Sequence, residues 1–143
     1  MIVKNNSNAY KKIESSSNVI ATNTTEIRVN DNYGSPIIGS FFSNVTGKIK
    51  LRFSAKRTSS SANYVTYKIT TINKGIISQS EDNVPIPFDE LKVTDVETYV
   101  EKGHIYQVNA EAKTNTTSNH VLVAKIEICG TLSENIKDNL CFI

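Results

Sequence analysis

The side chains with the clearest capacity for chemistry here are two histidines, a cluster of carboxylates, a run of cations and six tyrosines. His104 follows a turn signal and His120 opens an alternating segment, so both are expected at sheet ends. A Ser–His–Asp set is defined by geometry and not by chain order. The chain has no G-x-S-x-G elbow, however, and solvated loop histidines are the reading that residue context favours. Asp89, Glu90, Asp95, Glu97 and Glu101 crowd into one stretch. Two carboxylates held about 5–10 Å apart across a cleft can run glycoside hydrolysis, and six to eight oxygens can hold calcium. This spacing matches no calcium loop, and acids distributed over loops are the plainer expectation. Cys129 and Cys141 form no C-x-x-C pair, and two Cys with two distant His make no zinc set. A Cys129–Cys141 bridge and two separate thiols both stay open. No glycine-rich loop precedes a helix, so no phosphate cradle is written. The expectation is therefore no catalytic residue, no cofactor and no metal.

Binding chemistry is better represented. Lys48, Lys50, Arg52, Lys56 and Arg57 bring five cations into ten residues, the first four on one face of a strand. Such a face can meet phosphates or an anionic glycan, or can keep a sheet exterior soluble and unpaired. No aromatic is interleaved for base stacking, and the net charge is only +2, so nucleic acid is not the expected partner. Tyr33, Tyr64 and Tyr99 lie near loops or out of phase with the core, where rings can stack on sugars and nearby Asn amides can bond hydroxyls. The lack of Trp counts against a broad sugar platform. Phe41 and Phe42 are candidates for an apolar strip buried against a partner. The contact candidates are thus Tyr33, Phe41, Phe42, Lys48, Lys50, Arg52, Tyr64 and Tyr99. Four Asn-x-Ser/Thr sequons occur, but this composition gives about three by chance, so they carry no signal.

These side chains must be positioned by strands. Of 143 residues, 45 are Asn, Ser or Thr, and Ile and Val (17 and 12) far outnumber Leu, Ala and Met. Ile and Val lose side-chain freedom in helices and pack well on pleated sheets. No apolar run approaches the roughly 20 residues of a membrane helix, so no membrane insertion is expected. From residue 26 the hydrophobic period is two. Its clearest instance is 45–57, where Ile49, Leu51, Phe53 and Ala55 alternate with Lys48, Lys50, Arg52, Ser54 and Lys56. Asn63–Ile72, Ile76–Ser80 and 104–112 follow. The segment 120–129 closes the clear strands, with Leu122, Ala124, Ile126 and Ile128 inward. Leu91 and Val93 suggest a short strand. Asn73-Lys74-Gly75 and Glu101-Lys102-Gly103 read as turns, and Pro85-Ile86-Pro87 as a loop. Residues 131–143 fit a final strand or a short helix. The pattern is all-β with about eight strands and little helix, an antiparallel β-sandwich or barrel. Residues 1–18 read as a polar N-terminal arm and 19–143 as a single domain.

The order Val45-Thr46-Gly47-Lys48-Ile49-Lys50-Leu51-Arg52-Phe53, then Val65-Thr66-Tyr67-Lys68-Ile69, then Asn73-Lys74-Gly75, carries a resemblance. With Lys102-Gly103-His104 before a later strand, it resembles jelly-roll β-sandwich domains of bacteriophage and prophage virion proteins (tail, fibre or decoration parts), and the tumour-necrosis-factor-like jelly roll. It spans about residues 45–129, and Lys102-Gly103-His104 lacks the Asp of the G-D turn in those domains. The resemblance implies a jelly-roll topology and a non-enzymatic structural role in a homo-oligomer, with a trimer favoured. The leading functional expectation is a virion component working through assembly or surface attachment. The alternative is a carbohydrate-binding module recognising a cell-surface glycan. The first residues show no apolar signal core, so synthesis in the cytoplasm without a standard secretory signal, followed by association with a virion, is the expected localisation.

Overall fold

A computed structural model of the chain describes residues 12–29, 36–57, 63–72, 75–114, 121–133 and 140–143. Eleven strands run through them: β1 (Lys12–Asn23), β2 (Ile27–Val29), β3 (Ile37–Ser43), β4 (Thr46–Arg57), β5 (Asn63–Thr71), β6 (Gly75–Gln79), β7 (Val84–Ile86), β8 (Lys92–Val100), β9 (His104–Thr114), β10 (Val121–Leu132) and β11 (Leu140–Phe142). No helix among the described residues is long and apolar enough to cross a membrane.

Two sheets face each other. The first runs β2-β10-β1-β4-β8, with β10 also bonded directly to β4; the second runs β11-β3-β9-β5-β6, with β7 beside β5. Without the three short strands β2, β7 and β11, eight remain. In chain order they fall in the first, second, first, second, second, first, second and first sheet, with β1, β4, β8 and β10 in one and β3, β5, β6 and β9 in the other, which is the double Greek key of a jelly roll. The expected sandwich is therefore observed, and the count of about eight matches its principal strands. The short strands are extensions. β2 continues along β10 beyond β1, β11 covers the edge of β3, and β7 makes three pairs with β5. Pro85 sits in β7, exposed on that margin, where its missing N–H costs no ladder bond. Residues 131–132 complete β10 and 140–142 form β11, so strand replaces the helix alternative there. The arm expected at 1–18 overlaps β1 over residues 12–18, where Asn18 Nδ2 and Ser16 Oγ both bond Thr131 Oγ1.

The core follows the sequence alternation on β4, where Ile49, Leu51, Phe53 and Ala55 are all fully buried. β10 departs from it. A bulge between Val123 and Lys125 shifts the phase, so Val121 and Val123 point inward before it and Ile126 and Ile128 after it. Ala124 is the extra residue and is half-buried, which corrects the inward position expected for it; Leu122 is buried as expected, though outside the main core cluster. β8 is also different. Its inward residues are Val96, Thr98 and Val100, whereas Leu91 and Val93 are exposed. Gly47 lets β1 lie against β4: a methyl group there would run into the backbone carbonyl of Ile13, at a φ of +147°. Cys129 is buried in β10 and Cys141 exposed in β11, in different sheets, and both thiols are free.

Among the described residues Tyr67 is the largest fully buried side chain, and its hydroxyl has no hydrogen-bond partner there. Burial raises its pKa above the ordinary tyrosine range. The unfolded phenol ionises near pH 10 while the folded one stays protonated, so the unfolded state binds fewer protons and stability falls as pH rises above about 10. Each pH unit above that point costs roughly 1 kcal/mol from this group. Tyr67→Phe is expected to be neutral or mildly stabilising at pH 7, since no bond is lost. It should also flatten the alkaline decline in urea melts taken between pH 8 and 11; an unchanged alkaline slope would count against this assignment.

Candidate functional site

The basic stripe and the acidic cluster meet on the outer face of the first sheet. The β4–β8 register sets Lys50 opposite Glu97 and Arg52 opposite Asp95, and the β4–β10 register sets Arg52 opposite Glu127. Arg52 Nε donates to Asp95 Oδ1 at 3.0 Å, Lys50 Nζ stands 3.9 Å from Asp95 Oδ2, and Lys56 stands 3.9 Å from Asp89. Asp95 holds the Arg52 guanidinium more firmly protonated than usual. These are cross-strand pairs on a solvated face. Lys50 and Arg52 are thus engaged by acids, and Lys48 lies exposed opposite Tyr99. Among the described residues no three His, Cys, Asp or Glu side chains are grouped to hold a metal ion.

Phe41 is fully buried and stacks on Tyr106 with ring centroids 5.2 Å apart, while Phe142 meets it edge-on. Its expected role as a surface contact is corrected, because β11 lies over the β3 edge and closes that side of the core. Phe42 points the other way and is half-buried. Tyr64 is 36% exposed beside Pro85 and Lys113. Tyr33 and His120 lie outside the described residues.

Tyr99 is different. It is 56% exposed and stands on the rim of a cleft of about 500 Å³. The cleft opens where the margin of one sheet, β6, faces the margin of the other, β8. Ser78 Oγ donates to Thr98 Oγ1 at 2.8 Å, tying the two margins together through hydroxyls. The turn after β8 closes one end. Lys102 N–H donates to Thr46 Oγ1, Gly103 N–H donates to the Ser43 carbonyl at 2.7 Å, and Gly103 supplies the positive φ of +86° that the turn needs. The Glu101 N–H donates to Tyr106 Oη at 2.7 Å. That bond uses a lone pair, so the Tyr106 O–H remains a donor. Burial pushes its pKa up and keeps it protonated. Glu101 brings a carboxylate to the lining and His104 an imidazole, whose Nδ1 lies 3.3 Å from the Lys102 carbonyl. Thr71 adds a hydroxyl, and Ile72, Ile77 and Ile105 an apolar wall.

Among the described residues the cleft therefore offers one accessible aromatic ring, several hydroxyls, one carboxylate, one imidazole and an aliphatic wall, with no Lys or Arg in its lining. Of the residues singled out from sequence, Tyr99, Glu101 and His104 come together here; Asp89, Asp95, Lys50 and Arg52 do not. Ser78, Thr98 and Tyr106 were missed as site residues. A signal exists for Thr98, which stands between Val96 and Val100 on the inward face of β8.

No protein-family model matches the chain, and no curated protein sequence matches it. Among solved structures it is similar to the EclA C-terminal domain, described as a sugar-binding protein, at 9% identity and TM-score 0.54, over 74% of this chain and 78% of that one. It is also similar to a family 35 carbohydrate binding module from an environmental isolate, at 10% identity and TM-score 0.46, over 87% and 72% of the two chains. A CBM4 structure covers 74% of this chain at 10% identity and TM-score 0.45, with 82% of its own length matched. At these identities the likeness to the EclA domain bears on the fold alone, and it agrees with the two-sheet jelly roll described above.

Proposed function

We propose that this chain is a non-catalytic carbohydrate-binding module whose ligand enters the cleft between β6 and β8. The observation that carries this reading is the half-exposed Tyr99 ring at the mouth of a hydroxyl-lined cleft. A sugar has apolar C–H faces and a rim of hydroxyls. Tyr99 and the aliphatic wall suit the faces; Ser78, Thr98, Thr71 and the Tyr106 O–H suit the rim. The cleft volume falls within the range of small-molecule sites, about 300–1,000 Å³. The sugar-binding description of the EclA domain supports the reading as analogy.

The non-catalytic part rests on the carboxylates. Among the described residues Glu101 is the only acid in the cleft lining, while Asp89 and Asp95 face cations on the outer side of the sheet. Hydrolysis needs a second carboxylate within about 10 Å across the bond. A virion setting rests on the sequence resemblance alone.

The lining charge gives the proposal its sharpest consequence. With one carboxylate and no Lys or Arg among the described lining residues, the cleft favours neutral or amino sugars over uronates. A glycan array probed with the purified chain, followed by calorimetry on the hits, is expected to find neutral or amino-sugar oligosaccharides with dissociation constants of about 10 μM to 1 mM. An array silent to these sugars, or responding only to uronates and sulfated glycans, would sink the reading.

A further inference from the structure

The turn that closes the cleft fixes one carboxylate. Hydrogen bonds hold its backbone: Glu101 N–H to Tyr106 Oη at 2.7 Å, Lys102 N–H to Thr46 Oγ1 at 3.1 Å, Gly103 N–H to the Ser43 carbonyl at 2.7 Å, and His104 N–H to the Glu101 carbonyl at 3.3 Å. None of these bonds uses the Glu101 side chain. The acids that meet cations do so outside the cleft: Asp95 with Lys50 and Arg52, Asp89 with Lys56, Glu111 with Lys68 and Glu127 with Lys125. Glu101 has no such cation among the described residues. Lys102, next in the chain, and Lys48, opposite Tyr99, are both exposed, and neither lines the cleft. The neighbouring imidazole adds an acceptor. The Lys102 carbonyl can only accept, so the His104 Nδ1 at 3.3 Å carries the proton, and Nε2 of the neutral ring is left with its lone pair. Burial does most to raise the Tyr106 pKa, and the negative charge of Glu101 adds to it, so the carboxylate lies near the Tyr106 hydroxyl in the lining. A carboxylate accepting from a charged donor makes a bond roughly twice as strong as a neutral pair makes.

We infer that Glu101 is the specificity-determining residue of the cleft and selects a sugar with a free amine, as in oligosaccharides of 2-amino-2-deoxyhexoses. The inference rests on the reading of the cleft as a sugar site and adds the class of sugar that fills it. An amine replaces a single ring hydroxyl, so it asks for no more room than a neutral sugar does. Protonated, it carries one positive charge and several N–H donors. Glu101 supplies the opposite charge, and the His104 Nε2 and the lining hydroxyls supply further acceptors. An N-acetyl group at the same position is neutral and larger, and it forfeits the charge-assisted bond. Because the turn is held by its own backbone bonds, the carboxylate is in place before the ligand arrives, which lowers the ordering cost of binding.

The test is calorimetric titration of the full chain with oligosaccharides of glucosamine and of galactosamine, each beside its N-acetylated and its neutral hexose counterpart. The buffer is low in salt, at a pH that keeps the sugar amine protonated. The wild type is expected to bind the amine forms about 5- to 20-fold more tightly than the neutral ones, with the margin shrinking toward parity in about 1 M salt. Glu101→Gln keeps the shape and removes the charge. It is expected to abolish the margin and to leave the affinity for neutral sugars within about twofold. Glu90→Gln makes the same change of net charge at an exposed position before β8, whereas Glu101 follows that strand, so it should leave the margin intact. Unchanged thermal melts will show that both variants fold. Parity of the three forms in the wild type, a preference for the N-acetylated form, a margin that survives Glu101→Gln, or one lost equally in Glu90→Gln would each overturn the inference and leave the sugar reading standing. Silence toward all of these oligomers would overturn it too, and the glycan array then decides the sugar reading separately.

Discussion

Phe53→Ala is expected to destabilise the protein by about 3–5 kcal/mol, a large share of the 5–15 kcal/mol that holds a domain together. Phe53 is fully buried on β4, its ring stacked on Tyr67 at 4.0 Å between centroids and 8° between planes. That stack spans the two sheets, since β4 and β5 belong to different ones. Removing the ring loses its transfer free energy and the aromatic contact, and leaves a cavity. The cavity cannot readily collapse, because β4 is held on its two sides by β8 and β10 through long ladders. The unpartnered Tyr67 hydroxyl would then face empty space or a trapped water. Lys48→Ala, on the outward face of the same strand, should cost less than about 0.5 kcal/mol. Urea unfolding of the two variants at pH 7 measures the contrast. A Phe53→Ala loss below about 1 kcal/mol would mean that the two sheets do not meet through this pair.

The same strand shows how much the sequence could reveal. β4 was legible because one face is wholly apolar and the other wholly polar, and local period alone then sets which residues are inside. β8 was not, because its faces mix: Val93 and Tyr99 are exposed while Thr98 points inward. Those exceptions have a physical reason. β8 is the margin of its sheet, and the inward hydroxyl of Thr98 bonds Ser78 across to the other sheet. β10 misled through its bulge, since one extra residue reverses the phase and no local residue type marks it. The count of about eight strands was readable from period and turns, the jelly-roll order came only from the resemblance, and the register was not readable. Register makes Arg52 and Asp95 partners across 43 positions, and turns what read as a free basic stripe into paired charge. It also builds the cleft, whose Ser78, Thr98 and Tyr106 come from three strands with no local motif between them. Tyr99 was singled out from sequence by being out of phase with the core, and it does stand at the cleft. Tyr64 was singled out on similar grounds and stands elsewhere.

Those two tyrosines give the most direct test of sugar binding at the cleft. The best oligosaccharide from the array is titrated calorimetrically into the wild type, Tyr99→Ala and Tyr64→Ala at pH 7. Tyr99→Ala removes the only half-exposed aromatic among the described lining residues, and loss of an aromatic anchor at a binding site typically costs about 1–3 kcal/mol. The predicted result is a 10- to 100-fold weaker affinity for Tyr99→Ala, by about 1.4 kcal/mol per tenfold, with Tyr64→Ala indistinguishable from wild type. Unchanged binding by Tyr99→Ala, or a loss confined to Tyr64→Ala, would contradict the assignment of the cleft.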